Sequence, residues 1–281
     1  MMKEILAASH GVKQVICISW GAKYGALFIN RLYAMVTRNI TPPFTFTCFT
    51  DNREGLHPSI LCQDLPELDV VKMPVNSLGI WSKARLWGPK LGNLQGPVLF
   101  LDLDLVIVSS LDHFFECGGA NDVVMARNQT TPFRRLGQTS LFRFKVGSLV
   151  SLQETFRADP QGVADKYRFE QRFVTLNAPS GVKFFPRQWV LHFRQDCRWP
   201  FPLNYFLAPR MPHGARVVIF PRGLLPQDAI EGRFSANSRN SSPLNHIIGI
   251  FDKARRGKKT PFKYLRHYIR PTSWVAEHWR E

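Results

Sequence analysis

Two aspartates, Asp102 and Asp104, interrupt an otherwise apolar stretch of the chain, VLFLDLDLVIVSSLDHFF at residues 98–115. Ionised carboxylates are costly to bury unless they are paired or bind a metal. If this stretch is a strand, residues i and i+2 point to the same side, so both carboxylates would face one spot. Two oxygen donors at a strand end suit Mg²⁺ or Mn²⁺, and such an ion usually also binds substrate phosphates. The pair therefore predicts a metal site for a phosphate compound.

Two kinds of phosphate chemistry fit this pair. In the first, both carboxylates bind a divalent metal that neutralises the diphosphate of a departing nucleotide. In the second, Asp102 attacks a phosphate and Asp104 protonates the leaving group, because D-L-D-L-V-I is similar to the opening motif of haloacid-dehalogenase-like phosphatases. The first is favoured, since about a hundred residues precede the pair and the later acidic pair of such phosphatases does not follow.

The elements that would position the pair alternate between strands and helices. Strands are predicted at 14–19 and 44–50, and helices at 25–38 and 77–88. The first helix is indicated by apolar residues at helical spacing, namely Phe28, Leu32, Met35 and Val36. Alternation of this kind predicts an α/β fold with a mostly parallel sheet, whose ligands bind beyond the carboxyl ends of the strands. Trp20 and Asp51 fall at such ends, as the aspartate pair does.

Composition limits the class of protein. The chain has 281 residues, of which 44% are hydrophobic, and its 37 Lys and Arg against 21 Asp and Glu give a net charge of +16. Such a charge favours anionic partners. The five cysteines form no C-x-x-C pair, which argues against a disulfide framework and a cysteine zinc site. We expect a cytoplasmic protein, because the first residues lack a signal peptide and no apolar run reaches the roughly 18 residues of a membrane span.

Several stretches together resemble bacterial glycosyltransferases of the GT-A fold, in particular the glycogenin/lipopolysaccharide galactosyltransferase-like group. The likeness spans about residues 12–235, and its most specific parts are WGAKYGALFINRLYAMVTRNITPPFTFTCFTDNREGL, IWSKARLWGPKL and VLFLDLDLVIVSSLDHFF. It implies a Rossmann-like mixed sheet flanked by helices. It also implies transfer of a hexose from a nucleotide-diphosphate sugar, with UDP-hexose the first expectation, to a cell-envelope glycan or glycolipid, with Mn²⁺ or Mg²⁺ as cofactor.

The resemblance also implies roles for individual residues. Asp102 and Asp104 would bind the metal, and Asp104 and Glu170 would act near the transferred sugar. The remaining candidates would contact the nucleotide sugar: Ser19, Trp20, Asp51, Lys83, Arg85 and Asp102. Lys83 would act as a point charge on the diphosphate, whereas Arg85 would diverge from it on a helix. Asp122 would either bind sugar hydroxyls or cap a helix. His192 is either a buried core residue or a catalyst.

The chain departs from the family pattern at three places. Where the group has N-S-G or N-S-S, this chain has Gln138-Thr139-Ser140, and where it has G-D-Q, this chain has Phe169-Glu170-Gln171. The family's third metal ligand, a histidine, is replaced within Ile219–Gly223, where Arg222 offers a cation instead. The chain is therefore interpreted either as an active transferase or as a catalytically inactive sugar-binding relative.

The predicted organisation is a GT-A-like domain over residues 1–237, with a nucleotide-binding half at about 12–115 and an acceptor half at 116–237. Residues 238–281 are predicted to be a linker and a basic aromatic extension. In it, Thr260 and Pro261 would open a helix with Phe262, Leu265 and Ile269 on one face. This helix either anchors the protein to an anionic membrane or packs on the domain. Nucleic acid is not an expected partner, because no RNA-binding or zinc-binding pattern accompanies the basic run.

Overall fold

The computed structural model describes residues 11–75, 79–131, 133–220, 223–235, 238, 240–255 and 264–281. The chain divides into two compact units. Unit 1 comprises the chain up to Leu103 together with Ser110–Arg187, and unit 2 comprises Asp104–Ser109 together with Gln188–Glu281. Each unit has its own sheet. The domain limits expected after residues 115 and 237 stay a prediction.

Unit 1 is built on a seven-stranded sheet in the order β3-β2-β1-β4-β7-β6-β8. Its strands are β1 Lys13–Ser19, β2 Phe44–Thr50, β3 Leu61–Gln63, β4 Pro97–Leu101, β6 Val123–Arg127, β7 Gly137–Lys145 and β8 Val182–Phe184. All run in the same direction except β7, which is antiparallel to both β4 and β6. The α/β class with a mostly parallel sheet, predicted from the sequence, is therefore confirmed.

The helices of unit 1 flank this sheet and are α1 Ala26–Asn39, α2 Asp112–Glu116, α3 Val150–Ala158, α4 Pro160–Tyr167 and α5 Glu170–Asn177. Helix α1 confirms the helix predicted at 25–38. Its buried side chains are Ile29, Leu32, Met35 and Val36. The predicted stripe was wrong in one member, because Ile29 rather than Phe28 completes the buried face.

The helix predicted at 77–88 is a 3₁₀ helix over Gly79–Trp87, and residues 77 and 78 lie outside the described residues. A 3₁₀ helix has three residues per turn, so residues at i, i+3 and i+6 share a face. Trp81, Ala84 and Trp87 have this spacing and are all buried. Trp81 stacks on Phe156 of α3 with ring centroids 5.1 Å apart. This packing fixes the helix that carries Lys83.

The aspartate stretch is not one strand. β4 ends at Leu101, residues 103–104 form a turn, and β5 Leu105–Ile107 pairs in the sheet of unit 2. The alternation rule applies only within extended backbone, so it does not carry over to this pair; that both carboxylates bind one metal stays a prediction. Asp102 belongs to unit 1 and Asp104 to unit 2.

Unit 2 contains a three-stranded sheet in the order β5-β10-β9, with β9 Val190–His192 and β10 Val217–Ile219. Its α-helices are α6 Pro226–Ile230, α7 Pro243–Arg255 and α8 Ser273–His278. Two shorter helices, a π-helix at Phe193–Cys197 and a 3₁₀ helix at Leu203–Tyr205, follow β9. Within the described ranges, no helix is long and apolar enough to cross a membrane.

An aromatic cluster attaches α7 to the rest of unit 2. The hydroxyl of Tyr205 lies 2.7 Å from Nδ1 of His246, which is on α7. Burial, with Tyr264 and Tyr268 nearby, raises the pKa of Tyr205 to about 12. The phenol is therefore neutral at neutral pH and can donate this hydrogen bond. The ring of His246 also stacks on Tyr264, with centroids 4.0 Å apart.

The predicted anchoring face of the basic tail is only partly described. Thr260, Pro261 and Phe262 lie outside the described residues. Ile269 is only 3% exposed and its neighbour Tyr268 stacks on Tyr205. Ile269 is therefore buried in unit 2, which accords with the second of the two alternatives for this segment, packing on the rest of the protein.

Candidate active site

The site begins with a lysine that the 3₁₀ helix holds at the carboxyl end of β4. Lys83 Nζ lies 2.7 Å from Oδ1 of Asp102 and 3.0 Å from Oδ2. Asp102 directly follows β4, and its backbone N–H donates to the carbonyl of Ser140 on β7 at 2.9 Å. The two charged residues are thus positioned by the packed 3₁₀ helix and by the sheet.

Two further residues complete the surroundings of the ammonium group. Lys83 Nζ donates to the carbonyl of Thr139 at 3.2 Å and lies 3.7 Å from Oε1 of Glu170. Glu170, the first residue of α5, is only 4% exposed and accepts a hydrogen bond from the hydroxyl of Thr139. The ring of Phe100 covers the ammonium from 5.1 Å. We call Lys83, Asp102, Thr139 and Glu170 the Lys83 cluster.

The Lys83 cluster carries an uneven charge. Two carboxylates face a single ammonium, so one negative charge is left over when all three groups are ionised. The side chain of Lys83 is 10% exposed and that of Asp102 is 23% exposed, which makes Asp102 the member more accessible to a ligand than Glu170. Charges this well buried are tolerated because they are paired and hydrogen-bonded.

The carboxyl ends of β1 and β2 lie at the same edge of the sheet as Asp102, since β1, β2 and β4 are parallel neighbours. Asp51 Oδ2 accepts a hydrogen bond from the backbone N–H of Gly21 at 3.0 Å, which ties the ends of the two strands together. Ser19 is buried, and Trp20 packs in part against the hydrophobic core. The structure therefore brings Ser19, Trp20 and Asp51 to the edge that carries the Lys83 cluster.

Other residues singled out in the sequence lie elsewhere. Arg85 donates to the carbonyl of Pro66 at 2.8 Å, away from Lys83, as the spacing of the two residues led us to expect. Asp122 precedes β6, at the opposite edge from Asp102, where it accepts from Gly119 N–H and pairs with Lys183. It is therefore not placed to bind sugar hydroxyls beside Asp102.

Two further candidates fall in the second half of the chain. His192 is buried at the end of β9, and its Nδ1 accepts a hydrogen bond from the backbone N–H of Arg194 at 3.0 Å. Its interpretation as a core histidine accords with this contact. Arg222, expected near the phosphates, lies outside the described residues.

The Lys83 cluster contains two carboxylates, Asp102 and Glu170, of the kind that bind divalent metals. Among the described residues, no three His, Cys, Asp or Glu side chains form a ready-made ligand set. The donors that are present fit a hard divalent cation, because carboxylate oxygens are the ligands that Mg²⁺ and Mn²⁺ prefer. The surplus negative charge at Asp102 and Glu170 also fits a cation.

Thr139 is the member of the Lys83 cluster that sequence reasoning overlooked. It lies in the Gln138-Thr139-Ser140 segment, which was compared with the family only as a motif. Its carbonyl contacts Lys83 and its hydroxyl contacts Glu170. Thr139 lies on β7, which pairs with β4 up to the residue before Asp102. A sequence-based prediction of this strand pairing would have indicated that Thr139 lies near Asp102.

Comparisons with known proteins show the fold. A scan of protein-family models and a sequence search of curated proteins found no match. The galactosyltransferase LgtC, solved with donor and acceptor sugar analogues, is similar with a TM-score of 0.55 at 13% identity, over 94% of this chain and 99% of LgtC.

Two other solved structures are similar at 13% identity over 76% of this chain. They are the bifunctional glycosyltransferase WbbM, with a TM-score of 0.54 over 46% of its length, and the glycosyltransferase GlyE of Streptococcus pneumoniae TIGR4, with a TM-score of 0.53 over 56%. Identities this low speak for the fold alone. The chain therefore has a GT-A glycosyltransferase-like fold, as its sequence resemblance predicted.

Proposed function

We propose that this protein is a glycosyltransferase that moves a hexose from a nucleotide-diphosphate sugar to a cell-envelope glycan or glycolipid. The observation that carries the proposal is the Lys83 cluster, which lies at the carboxyl edge of a GT-A-like sheet. Ligands of open α/β sheets bind beyond this edge. A charged cluster there is suited to a donor that carries phosphates.

Lys83 would bind the diphosphate of the donor. Its ammonium is held at 2.7 Å by Asp102 and donates to the Thr139 carbonyl, so it is positioned before any ligand arrives. Preorganised charges of this kind lower the barrier because they do not have to reorient as charge develops on the leaving group. Trp20, Ser19 and Asp51 would line the nucleotide side of the same edge.

A divalent metal held by Asp102 and Asp104 would supply further positive charge to the leaving diphosphate. The assignment of Asp104 rests on its spacing from Asp102 in the sequence. Asp102 would then share its carboxylate between the metal and Lys83.

Glu170 would act by positioning other groups. Its carboxylate is almost fully buried, accepts from the Thr139 hydroxyl and lies 3.7 Å from the Lys83 ammonium. These contacts favour a role in holding Lys83 and Thr139 over the direct role near the sugar that the resemblance implies. Glu170 would thereby keep the ammonium of Lys83 and the hydroxyl of Thr139 in fixed positions.

The phosphatase interpretation is less well supported. It needs Asp102 as a nucleophile together with a later acidic pair, and the sequence after Asp104 does not contain that pair. The similar solved structures named above are glycosyltransferases, and no observation favours the phosphatase. A phosphatase would hydrolyse an aryl phosphate, and an inactive relative would bind a nucleotide sugar without releasing nucleoside diphosphate.

The proposal is tested by screening UDP-, GDP- and dTDP-sugars by thermal shift, with and without Mn²⁺. We expect one donor class to raise Tm, because a ligand that binds only the folded state stabilises it. The same donor should release nucleoside diphosphate when a cell-envelope glycan extract is added. The absence of any Tm change across all donors, with a folded protein, would refute the proposal.

We also propose that the protein acts at a membrane surface, which helix α7 would contact. Leu244, Ile247 and Ile248 are exposed on this helix at i, i+3 and i+4, so they share one face. The net charge of +16 favours an anionic surface. This face takes the place of the predicted one at Ile269. It would hold the protein where lipid-linked acceptors are assembled.

Replacing Leu244, Ile247 and Ile248 together by serine should lower partitioning onto phosphatidylglycerol vesicles at least ~10-fold, because each aliphatic side chain contributes about 1.5–3 kcal/mol when fully buried. Co-sedimentation measures the effect. Leu176→Ser, at an exposed leucine of α5 in unit 1, is the matched control and should not change it. Equal partitioning of the triple variant and the parent would exclude α7 as the contact.

A further inference from the structure

A small basic cavity lies at the carboxyl ends of β6 and β8, within unit 1. Its volume is about 80 Å³, and it is lined by Arg127, Asn128, Gln129 and Arg187. Arg127 is the last residue of β6, and Arg187 follows β8 by three residues. None of these residues belongs to the Lys83 cluster, and the proposed donor site does not use them.

The cavity shares an edge of the sheet with Asp102. Since β7 is antiparallel to both β4 and β6, the strands β4 and β6 run in the same direction and end at the same edge. Only β7 separates them. Neighbouring strands are about 4.8 Å apart, so the ends of β4 and β6 are about 10 Å apart. A ligand that occupied the cavity would therefore reach toward the proposed donor site.

The lining of the cavity is suited to an oxyanion. Within the described part of the chain, no carboxylate forms an ion pair with Arg127 or Arg187. Two guanidinium groups around one small space repel each other unless an anion lies between them. Guanidinium groups also match the geometry of phosphate and carboxylate oxygens, with two parallel hydrogen bonds.

The lining also contains two buried amides. Asn128 and Gln129 are 7% and 8% exposed. The oxygen of Asn128 already accepts from the backbone N–H of Thr130 at 2.9 Å and from its hydroxyl at 2.7 Å. The amide nitrogen, a donor, is therefore the end of Asn128 that suits an anion.

An aromatic ring supports the basic side of the cavity. The guanidinium of Arg127 lies 5.9 Å from the ring centroid of Phe184, and that of Arg135 lies 5.7 Å from the same ring. Such cation–π contacts restrict the two side chains before a ligand binds. The cavity has room for only a few water molecules, which suits a single phosphate or carboxylate group rather than a sugar ring.

We propose that this cavity binds a phosphate or carboxylate group carried by the acceptor glycan, so that the enzyme selects acidic acceptors. The proposal rests on the proposed glycosyltransferase function and specifies its substrate class. Because the cavity lies about two strand spacings from β4, the anion would be on a part of the acceptor other than the attacked hydroxyl. The donor diphosphate would be bound by the Lys83 cluster instead.

The first test is calorimetric titration of the full chain with glucose 6-phosphate, inorganic phosphate and glucose. Glucose 6-phosphate should bind more tightly than inorganic phosphate, and glucose should not bind. Arg127→Gln/Arg187→Gln should weaken binding of glucose 6-phosphate at least ~10-fold, because it removes charge-assisted hydrogen bonds. Lys145→Gln is the matched control, since Lys145 pairs with Pro97 at the opposite edge of the sheet, and it should bind like the parent.

Two outcomes would overturn the proposal. Unchanged affinity of the double variant for glucose 6-phosphate would exclude the cavity as the site. Equal affinity of the parent for inorganic phosphate and glucose 6-phosphate would indicate a free-phosphate site rather than an acceptor site. If the double variant does not fold, Arg187→Gln alone replaces it in the titration with glucose 6-phosphate, because Arg187 is exposed.

A second measurement separates this proposal from the proposed function. The Tm increase produced by the donor sugar should be the same in Arg127→Gln/Arg187→Gln as in the parent. If the parent shows no donor-dependent increase, the glycosyltransferase proposal fails while the titration still reports on the cavity. If the double variant loses the increase, the cavity serves the donor and the acceptor assignment is refuted.

Discussion

Asp102→Asn is expected to lower the rate of sugar transfer at least ~100-fold, the effect typical of removing one charge-stabilising contact. The substitution keeps the size of the side chain but removes the charge that holds Lys83 at 2.7 Å. It also removes a carboxylate that would bind the metal. Steady-state release of nucleoside diphosphate in the presence of acceptor and Mn²⁺ measures the effect.

The control for this experiment is Asp122→Asn. Asp122 also forms an ion pair with a lysine, Lys183, but at the amino end of β6. Its substitution should leave turnover within about twofold, since surface ion pairs contribute little. Asp104→Asn should reduce turnover as Asp102→Asn does. Both variants are measured with Mn²⁺ present. If either one turns over at a rate close to that of the parent, the role proposed for the substituted aspartate is excluded.

Lys83→Met is expected to lower the free energy of unfolding by about 3 kcal/mol and to abolish the donor-dependent increase in Tm. Removing one partner of a buried ion pair leaves an uncompensated charge, which typically costs about 3–5 kcal/mol. Here Asp102 and Glu170 would both lose their cation, and Asp102 is accessible enough to regain some hydration. Urea unfolding gives the stability, and a thermal shift gives donor binding.

A double-mutant cycle shows whether this loss comes from the ion pair. In Lys83→Met/Asp102→Asn, neither the cation nor the Asp102 carboxylate remains, so the double variant should be more stable than the sum of the single effects implies. A coupling of about 1–3 kcal/mol is expected for groups in direct contact. Additive effects would mean that the two side chains do not interact, and would contradict the arrangement of the Lys83 cluster.

The parts of the fold that depend on a regular hydrophobic pattern could be predicted from the sequence. The strand at 44–50 agrees with β2, and α1 differs from its prediction by one residue at each end. Helix α1 is buried along one face, so its periodicity is visible in the residues themselves, and β2 is a short run rich in aromatic and β-branched residues whose last five are all buried.

The 3₁₀ helix could not be distinguished from an α-helix in this way. Nine residues are few, and Trp81, Ala84 and Trp87 fit a three-residue repeat while Ile80, Ala84 and Trp87 also fit an α-helical spacing. Only the packing of the two tryptophans against Phe156 and Phe173 decides between them. The turn after β4 was missed for a related reason, because an apolar run does not reveal where the chain leaves one sheet for another.

The candidate site was predictable only in part. Asp102 and Lys83 were identified from type and spacing, but their direct contact joins residues 19 positions apart. The contact of Thr139 with Glu170 joins residues 31 positions apart. The cavity at Arg127 and Arg187 left no motif at all, because its residues come from two strand ends that only the sheet brings together. Such sites depend on topology rather than on local sequence.

The most direct test of the central claim is anomalous diffraction from crystals that contain Mn²⁺ and the nucleotide sugar selected by the Tm screen. We expect a manganese peak coordinated by Asp102, by Asp104 and by the diphosphate of the donor, with Lys83 hydrogen-bonded to the same diphosphate. A donor bound in the crystal with its diphosphate away from Lys83, Asp102 and Asp104 would contradict the claim.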